Sequence, residues 1–222
     1  NKDGLALTNN FINCLLADNN LIWVGTEKGG ANLLSPDQSF FQHIGHNDNP
    51  NSLSRNPVNA IYQDNDGDLF VGTVEGGLNI RKKGSNDFIH AYFQPGHQGS
   101  LSHNSVSCIC QDHNGDYWIG TWGNGINRLR YKDKYRPSFA QYYNTGKVGS
   151  EICSNFVAAM APDEPNKGLW VGTREGLDFL DIRTGKFRHI LNYLPKDQKI
   201  HFVTGMQIDS KRRLWVGTNY GL

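Results

Sequence analysis

The chain has 222 residues, with Lys+Arg 22 against Asp+Glu 21 and a formal net charge of +1. No basic run interleaves with aromatics, which argues against a dedicated nucleic-acid surface. No apolar run approaches the ~18–20 residues of a membrane span and no leader-like apolar core precedes Asn1, so this segment is expected to be soluble.

Apolar residues make up 37% of the chain, and Asn, Asp, Ser and Gly dominate the remainder. That composition suits short strands joined by many turns. One stretch recurs five times: Ile22-Trp23-Val24-Gly25-Thr26, Leu69-Phe70-Val71-Gly72-Thr73, Tyr117-Trp118-Ile119-Gly120-Thr121, Leu169-Trp170-Val171-Gly172-Thr173 and Leu214-Trp215-Val216-Gly217-Thr218. The Gly-Thr pairs are spaced 47, 48, 52 and 45 residues apart. A period of this size marks a repeat architecture.

Each unit opens on a Ser/Asn-rich lead-in and an apolar strand that ends at Asp. The first runs from Leu7-Thr8-Asn9-Asn10 to Asp18, the second from Leu53-Ser54-Arg55-Asn56 to Asp64, and the third from Leu101-Ser102-His103-Asn104 to Asp112. The fourth runs from Ile152-Cys153-Ser154-Asn155 to Asp163, and the fifth from Phe202-Val203 to Asp209. A short hairpin loop follows, as in Asp64-Asn65-Asp66-Gly67, where Gly supplies the positive φ. Next come the Trp-Val-Gly-Thr strand, a Gly-rich turn such as Val74-Glu75-Gly76-Gly77, and a third strand such as Leu78-Asn79-Ile80. An aromatic-rich fourth strand closes the unit at Phe40-Phe41, Phe88 to Phe93, Phe139 to Tyr143 and Phe187 to Leu191.

Four short antiparallel strands per unit, with no helical periodicity, predict an all-β fold of β-propeller blades. Blade 1 is expected at 11–44, blade 2 at 57–93, blade 3 at 105–143, blade 4 at 156–191, and a partial blade 5 at 202–222. Blades pack face to face, so the continuously apolar Leu69-Phe70-Val71 reads as an inner strand buried on both sides. The glycine that follows is expected to admit the backbone of the adjacent blade.

The four cysteines do not form a metal spacing. Cys14 and Cys108 share a slot with Ala60, Ala159 and Gly205, all small, which indicates a tight contact between blades. Cys110 lies two residues on from Cys108, and Cys153 stands in the lead-in slot of Ser54. With neither Cys-x-x-Cys nor a matching His pair, structural thiols are favoured over a disulfide or a zinc site. Asp64-Asn65-Asp66-Gly67-Asp68 invites a calcium reading, but an EF-hand loop needs Gly at its sixth position and here it is fourth. An Asx-type turn is the better account. No metal or other cofactor is expected. The scattered histidines and the lack of a nucleophile elbow or phosphate loop give no catalytic assignment.

The pattern Asn-x-Val…Asp-x-x-Gly-x-Leu-Trp-Val-Gly-Thr-x-x-Gly-Gly-Leu-Asn resembles the two-component-regulator propeller repeats. These form the extracytoplasmic sensor region of hybrid two-component systems, best known from polysaccharide-degrading gut Bacteroidetes. The resemblance spans residues 4–222. Asp18-Asn19-Asn20-Leu21 departs from it by lacking the turn Gly, Asp163 to Gly168 is one residue longer, and the last two copies keep a single Gly in the later turn. The resemblance implies a fragment of a seven-bladed ring in the periplasm, belonging to an inner-membrane sensor histidine kinase. It further implies an oligosaccharide as ligand, a homodimeric parent sensor, and no enzymatic activity in this segment. Membrane contact would come only through other parts of the parent.

The fifth copy stops at Gly221-Leu222, and residues 1–10 offer no strand to complete it. An open array would expose two blade faces of about 300–600 Å² apolar surface each, on the order of 7–15 kcal/mol per face. Further blades in the parent, or another chain, are therefore expected to cover them.

Specificity is expected in the turns between strands 2 and 3 and in the lead-ins, which vary while the strands do not. Trp122, the only Trp outside the strand slot, is the leading candidate for ligand contact, since aromatic faces stack on sugar rings. Asn124, Tyr220, Arg174, Glu175, Glu75, Arg55 and His103 share those loops. Packing or solvation is the alternative for all of them. The competing functions are a propeller lyase, which would need a His and a carboxylate or metal together on the loop face, and a scaffold that binds no ligand.

Overall fold

A computed structural model of the chain describes residues 6–18, 20–35, 41–146, 151–165, 167–190 and 202–222. Within them the molecule is built from antiparallel sheets. Blade 1 comprises β1 (Ile12–Asp18), β2 (Leu21–Thr26), β3 (Ala31–Leu34) and β4 (Phe41–Ile44), and blade 2 comprises β5 (Val58–Gln63), β6 (Leu69–Thr73), β7 (Leu78–Arg81) and β8 (Phe88–Ala91). Blade 3 has β9 (Val106–Gln111), β10 (Tyr117–Thr121), β11 (Ile126–Leu129) and β12 (Phe139–Tyr142). Blade 4 has β13 (Val157–Asp163), β14 (Gly168–Thr173), β15 (Gly176–Asp181) and β16 (Lys186–His189), and blade 5 has β17 (Val203–Ile208) and β18 (Leu214–Thr218). Each four-stranded sheet pairs its strands in sequence order, as a propeller blade does, and the fifth sheet is two-stranded.

The fourth strands are shorter than the aromatic runs suggested. Phe88 to Phe93 narrows to Phe88–Ala91, Phe139 to Tyr143 to Phe139–Tyr142, and Phe187 to Leu191 to Lys186–His189. Phe40 and Leu191 lie outside the described residues. Outer strands have a solvent side, so an aromatic beyond the last cross-strand partner, such as Phe93 at 40% exposure, gains nothing by extending the ladder. A 3₁₀ turn at Tyr131–Asp133 interrupts the strand pattern.

The chain divides into two compact units, Asn1–Ile109 and Cys110–Leu222. In the first, Trp23, Ala31 and Ile44 of blade 1 share a core with Leu53, Val58, Ile61, Leu69, Val71 and Phe88. In the second, Trp118, Leu129, Ile152, Val157 and Val171 are buried. The inner strands β6 and β10 are buried at every position.

The strand glycine has a specific neighbour, and it is a side chain rather than the expected backbone. A Cβ on Gly25 would come within 2.7 Å of Val58 Cγ1, one on Gly72 would overlap Val106, and one on Gly172 would overlap Val203. In each case the first valine of the next blade fills the missing side chain's place. The small residue of strand 1 lies directly across from that glycine: Cys14 pairs with Gly25, Ala60 with Gly72, Ala159 with Gly172 and Gly205 with Gly217. A register shift precedes each of these pairs. One extra residue there bends strand 1 and increases its local twist.

The Asp ending strand 1 closes the hairpin. Asp64 Oδ1 accepts the amides of Asp66 and Asp68 at 3.0 and 2.9 Å, Asp112 Oδ1 those of Asn114 and Asp116 at 2.8 and 3.1 Å, and Asp209 Oδ1 those of Lys211 and Arg213, both at 2.9 Å. Gly67 and Gly115 have φ of 83° and 84°, while Asn20, Lys167 and Arg212 hold positive φ without being Gly. The other carboxylate oxygen reaches the strand-2 tryptophan: Trp118 Nε1 donates to Asp112 Oδ2 at 2.9 Å, Trp170 Nε1 to Asp163 at 3.1 Å, and Trp215 Nε1 to Asp209 at 2.9 Å.

Candidate functional site

The turns between strands 2 and 3 are tied to the lead-ins of the following blades. Gly30 N–H donates to the Asn56 carbonyl at 3.0 Å, Gly77 to Asn104 at 2.8 Å, and Gly125 to Asn155 at 2.9 Å. The two segments that vary most between copies therefore meet at the first three blade junctions, where the sequence placed candidates.

In the first unit, three candidates gather at one junction. Arg55 is exposed and its Cγ lies over Gly76; Glu75 is exposed with φ 58°. Glu75 N–H donates to Ser105 Oγ at 3.2 Å, and His103 Nδ1 accepts from Ser105 N–H at 3.0 Å. A neutral His103 therefore carries its proton on Nε2.

In the second unit, Trp122 does not stand alone. Its ring lies 5.8 Å from that of Phe156 with 6° between planes, and Phe156 lies 5.9 Å from Phe202. Trp122 also forms an isolated bridge with Phe156. Arg174 joins the same row through the backbone: its N–H donates to the Phe156 carbonyl at 3.1 Å, and Phe202 N–H donates to the Arg174 carbonyl at 3.1 Å. One face of Trp122 is thus used in packing, and its 39% exposure leaves indole surface open to solvent. Asn124 and Glu175 are exposed in the flanking turns, each with its N–H on a threonine Oγ1, Thr121 at 3.2 Å and Thr173 at 3.2 Å. Tyr220 is 87% exposed, with its N–H on Thr218 Oγ1 at 3.1 Å. None of its observed contacts joins it to the Trp122 row.

Phe156 and Phe202 were not among the sequence candidates. The signal was present: both occupy the slot just before the first-strand valine, where the first copy has Phe11 and the second and third have Pro57 and Ser105.

Two other features lie elsewhere. A cavity of about 510 Å³ is lined by Pro162, Asp163, Glu164, Pro165, Trp170, Ile208, Arg212 and Leu214, at the hairpins between strands 1 and 2. Its Trp170 is already held by Asp163 and by an edge contact with Phe179 at 4.9 Å. The carboxylates of Asp64, Asp66 and Asp68 also approach one another within 4.8 Å. Asp64 Oδ1 there receives two turn amides, which accounts for the cluster as an Asx turn. None of the four cysteines is in a disulfide. Among the described residues, no helix is long and apolar enough to cross a membrane.

Residues 52–75 and 100–123 match the family model for the two component regulator propeller. No curated protein matches the chain. Among solved structures, the extracellular domain of BT3049 from B. thetaiotaomicron, assigned as a hybrid two component system, superposes with a TM-score of 0.78 at 21% identity. The match covers 95% of this chain and 28% of that one. The extracellular domain of BT4673 from the same organism, assigned as a one component system, gives 0.71 at 22% identity, covering 94% and 29%. PorZ, a surface component of the type-IX secretion system of Porphyromonas gingivalis, gives 0.60 at 19%, covering 93% and 31%. The chain thus spans less than a third of each of these structures, and at such identities the likeness is one of fold. The fold is that of a β-propeller, and two of its stretches, 52–75 and 100–123, match the two component regulator propeller model.

Proposed function

We propose that this chain is part of the extracytoplasmic sensor propeller of a hybrid two-component system, in the periplasm, and that it recognises an oligosaccharide without performing chemistry on it. The observation that carries the reading is the row Trp122–Phe156–Phe202. It is an aromatic surface beside variable turns, on a framework whose repeats match a regulator family. The apolar faces of sugar rings stack on such rings. Arg174, Glu175 and Asn124 are exposed beside them and can exchange hydrogen bonds with hydroxyls. Binding would bias the arrangement of a homodimeric parent sensor, which sets kinase activity across the membrane.

The reading is checked by calorimetric titration of the chain with a panel of oligosaccharides. A sugar that binds, quenches tryptophan emission and loses at least ~10-fold in affinity in Trp122→Ala supports it. Binding that is unchanged in Trp122→Ala moves the site off this row. No binding by any sugar removes direct recognition and leaves the propeller as a dimerisation platform.

A further inference from the structure

Blade 4 differs from the other blades at two of three adjacent slots, and the resulting trio points to a metal. The third strand of every complete blade carries a buried polar residue: Asn32, Asn79, Asn127 and Asp178, each at 0% exposure. In blades 1 to 3 the amide donates to a strand-2 carbonyl: Asn32 to Val24 at 3.4 Å, Asn79 to Val71 at 3.1 Å, and Asn127 to Ile119 at 3.3 Å. Asp178 pairs with Val171 in the same register but has no such donor when ionised. Across from this slot on the fourth strand stand His43, His90, Gln141 and His189. The lead-in residue above it is Thr8, Ser54, Ser102 or Cys153. Blade 4 alone therefore combines a thiol, a carboxylate and an imidazole.

The three side chains converge. His189 Nδ1 lies 2.6 Å from Asp178 Oδ1, and Cys153 N–H donates to Asp178 Oδ2 at 2.7 Å. Cys153 Sγ, an Asp178 oxygen and a His189 ring nitrogen all lie within 4.8 Å of one another. Donors around a tetrahedral zinc ion, at about 2.0–2.3 Å from the metal, are roughly 3.5 Å apart. Cys153 and His189 are both only half-buried, so an ion can reach them from solvent.

We propose that Cys153, Asp178 and His189 form a binding site for a divalent zinc-type cation, with a fourth position open to water. Sulfur, imidazole nitrogen and carboxylate oxygen are zinc donors, whereas the hydroxyls and amides of the sibling blades are poor ones. Asp178 places a fully buried carboxylate at the centre of the trio. On binding, the thiol proton leaves to solvent and a neutral His189 carries its proton on Nε2, which frees Nδ1 for the ion, while three metal–ligand bonds form. The Cys153 amide stays on Asp178 Oδ2 and orients the carboxylate. The ion would clamp the lead-in of blade 4 to its third and fourth strands, and Cys153 Sγ already lies 3.0 Å from Thr173 Oγ1, at the start of the Arg174-Glu175 turn.

The test is titration of the full 222-residue chain, reduced and oxygen-free, with Co²⁺ and then Zn²⁺. One equivalent of Co²⁺ is expected to give a thiolate-to-cobalt charge-transfer band in the near ultraviolet, abolished by Zn²⁺. Sibling blades supply conservative variants: Cys153→Ser as in Ser54, Asp178→Asn as in Asn79, and His189→Gln as in Gln141. Cys153→Ser should remove the band, and the other two should weaken binding at least ~10-fold while circular dichroism stays unchanged. Zn²⁺ should also protect Cys153, and not Cys108, from alkylation in the unmodified chain, a readout that depends on no variant folding. Absence of the band, its survival in Cys153→Ser, or cobalt bound without a thiolate ligand would overturn the site.

Discussion

A single methyl group at Gly72 has nowhere to go. It would press on Val106 Cβ at 2.9 Å and on Ala60 Cβ at 3.2 Å. Gly72→Ala should therefore cost about 1–3 kcal/mol as an overpacked junction, read from urea unfolding. Val106→Ala in the same chain should recover part of that loss, a coupling that a double-mutant cycle measures. Additive losses would mean that the valine is not what excludes a side chain there. A second residue-scale contrast comes from the turn aspartates. Asp112→Ala leaves the amides of Asn114 and Asp116 uncapped and orphans the buried Trp118 Nε1–H, a loss of roughly 2–4 kcal/mol. In blade 2 the tryptophan slot is Phe70, which has no N–H to orphan, so Asp64→Ala should cost roughly 1 kcal/mol less. Cys14 gives a pH signature. Burial raises its thiol from 9.0 to about 12, so the folded chain keeps a proton that the unfolded chain loses above pH 9. Its contribution to stability is complete below pH 9 and declines as pH rises towards 12, by at most about 1.4 kcal/mol per pH unit. Cys14→Ala, borrowing the residue of Ala60, should flatten that decline in denaturation curves taken from pH 8 to 10.5.

At the scale of the element, the lead-in asparagines hold three segments at once. Asn104 accepts the Gly77 amide on its carbonyl and the Phe93 amide on its side chain at 2.7 Å. Asn56 and Asn155 do the same with His46 and Asn144, both at 2.7 Å. Asn104→Ala should cost about 1 kcal/mol and speed hydrogen exchange at Phe93 while leaving Gly77 protected. Equal exchange at both amides would show that the side chain is dispensable. The strands themselves were legible because an inner strand buried on both faces must be continuously apolar, as Leu69-Phe70-Val71 is. The Gly slot was legible as a close approach, but sequence could not say what approached it. The answer, Val58, Val106 or Val203, lies 31 to 34 residues further on and needs the blade-to-blade geometry. The Asx turns were legible through their Asp-x-x-Gly spacing. The second use of Asp112, Asp163 and Asp209, on a tryptophan six or seven residues away, was hidden because nothing in the spacing favours an indole partner over water. Trp122 was singled out for its rarity; Phe156 and Phe202 share a slot in the sequence, but that slot does not show their rings lining up with it. Cys153, Asp178 and His189 escaped for the same reason. They lie on three separate segments, and no local motif joins residues 25 and 11 positions apart.

For the molecule as a whole, the repeat supplies its own reference for what a covered blade looks like. Val58, Val106, Val157 and Val203 open their strands at 0% exposure, each in the slot that Ile12 occupies in blade 1 at 48%. Leu15 is 66% exposed where its counterpart Ile61 is 9%, and Phe11 is 68% exposed just before them. These three residues form an apolar face built to the same plan as faces that elsewhere take up the neighbouring blade. Isolated apolar residues on a surface are ordinary, but a contiguous set in the slots of a packing interface marks one that another surface covers. We expect that surface to be a further blade in the parent protein. The 222-residue chain on its own should then bind a hydrophobic dye and associate with itself as its concentration rises in sedimentation experiments. Replacing Ile12 and Leu15 together by lysine should weaken both behaviours without changing the circular dichroism, because neither side chain is needed inside the sheet. A chain that sediments as a monomer at every concentration and leaves the dye unbound would show that the face is stable in water, and that blade 1 needs no neighbour.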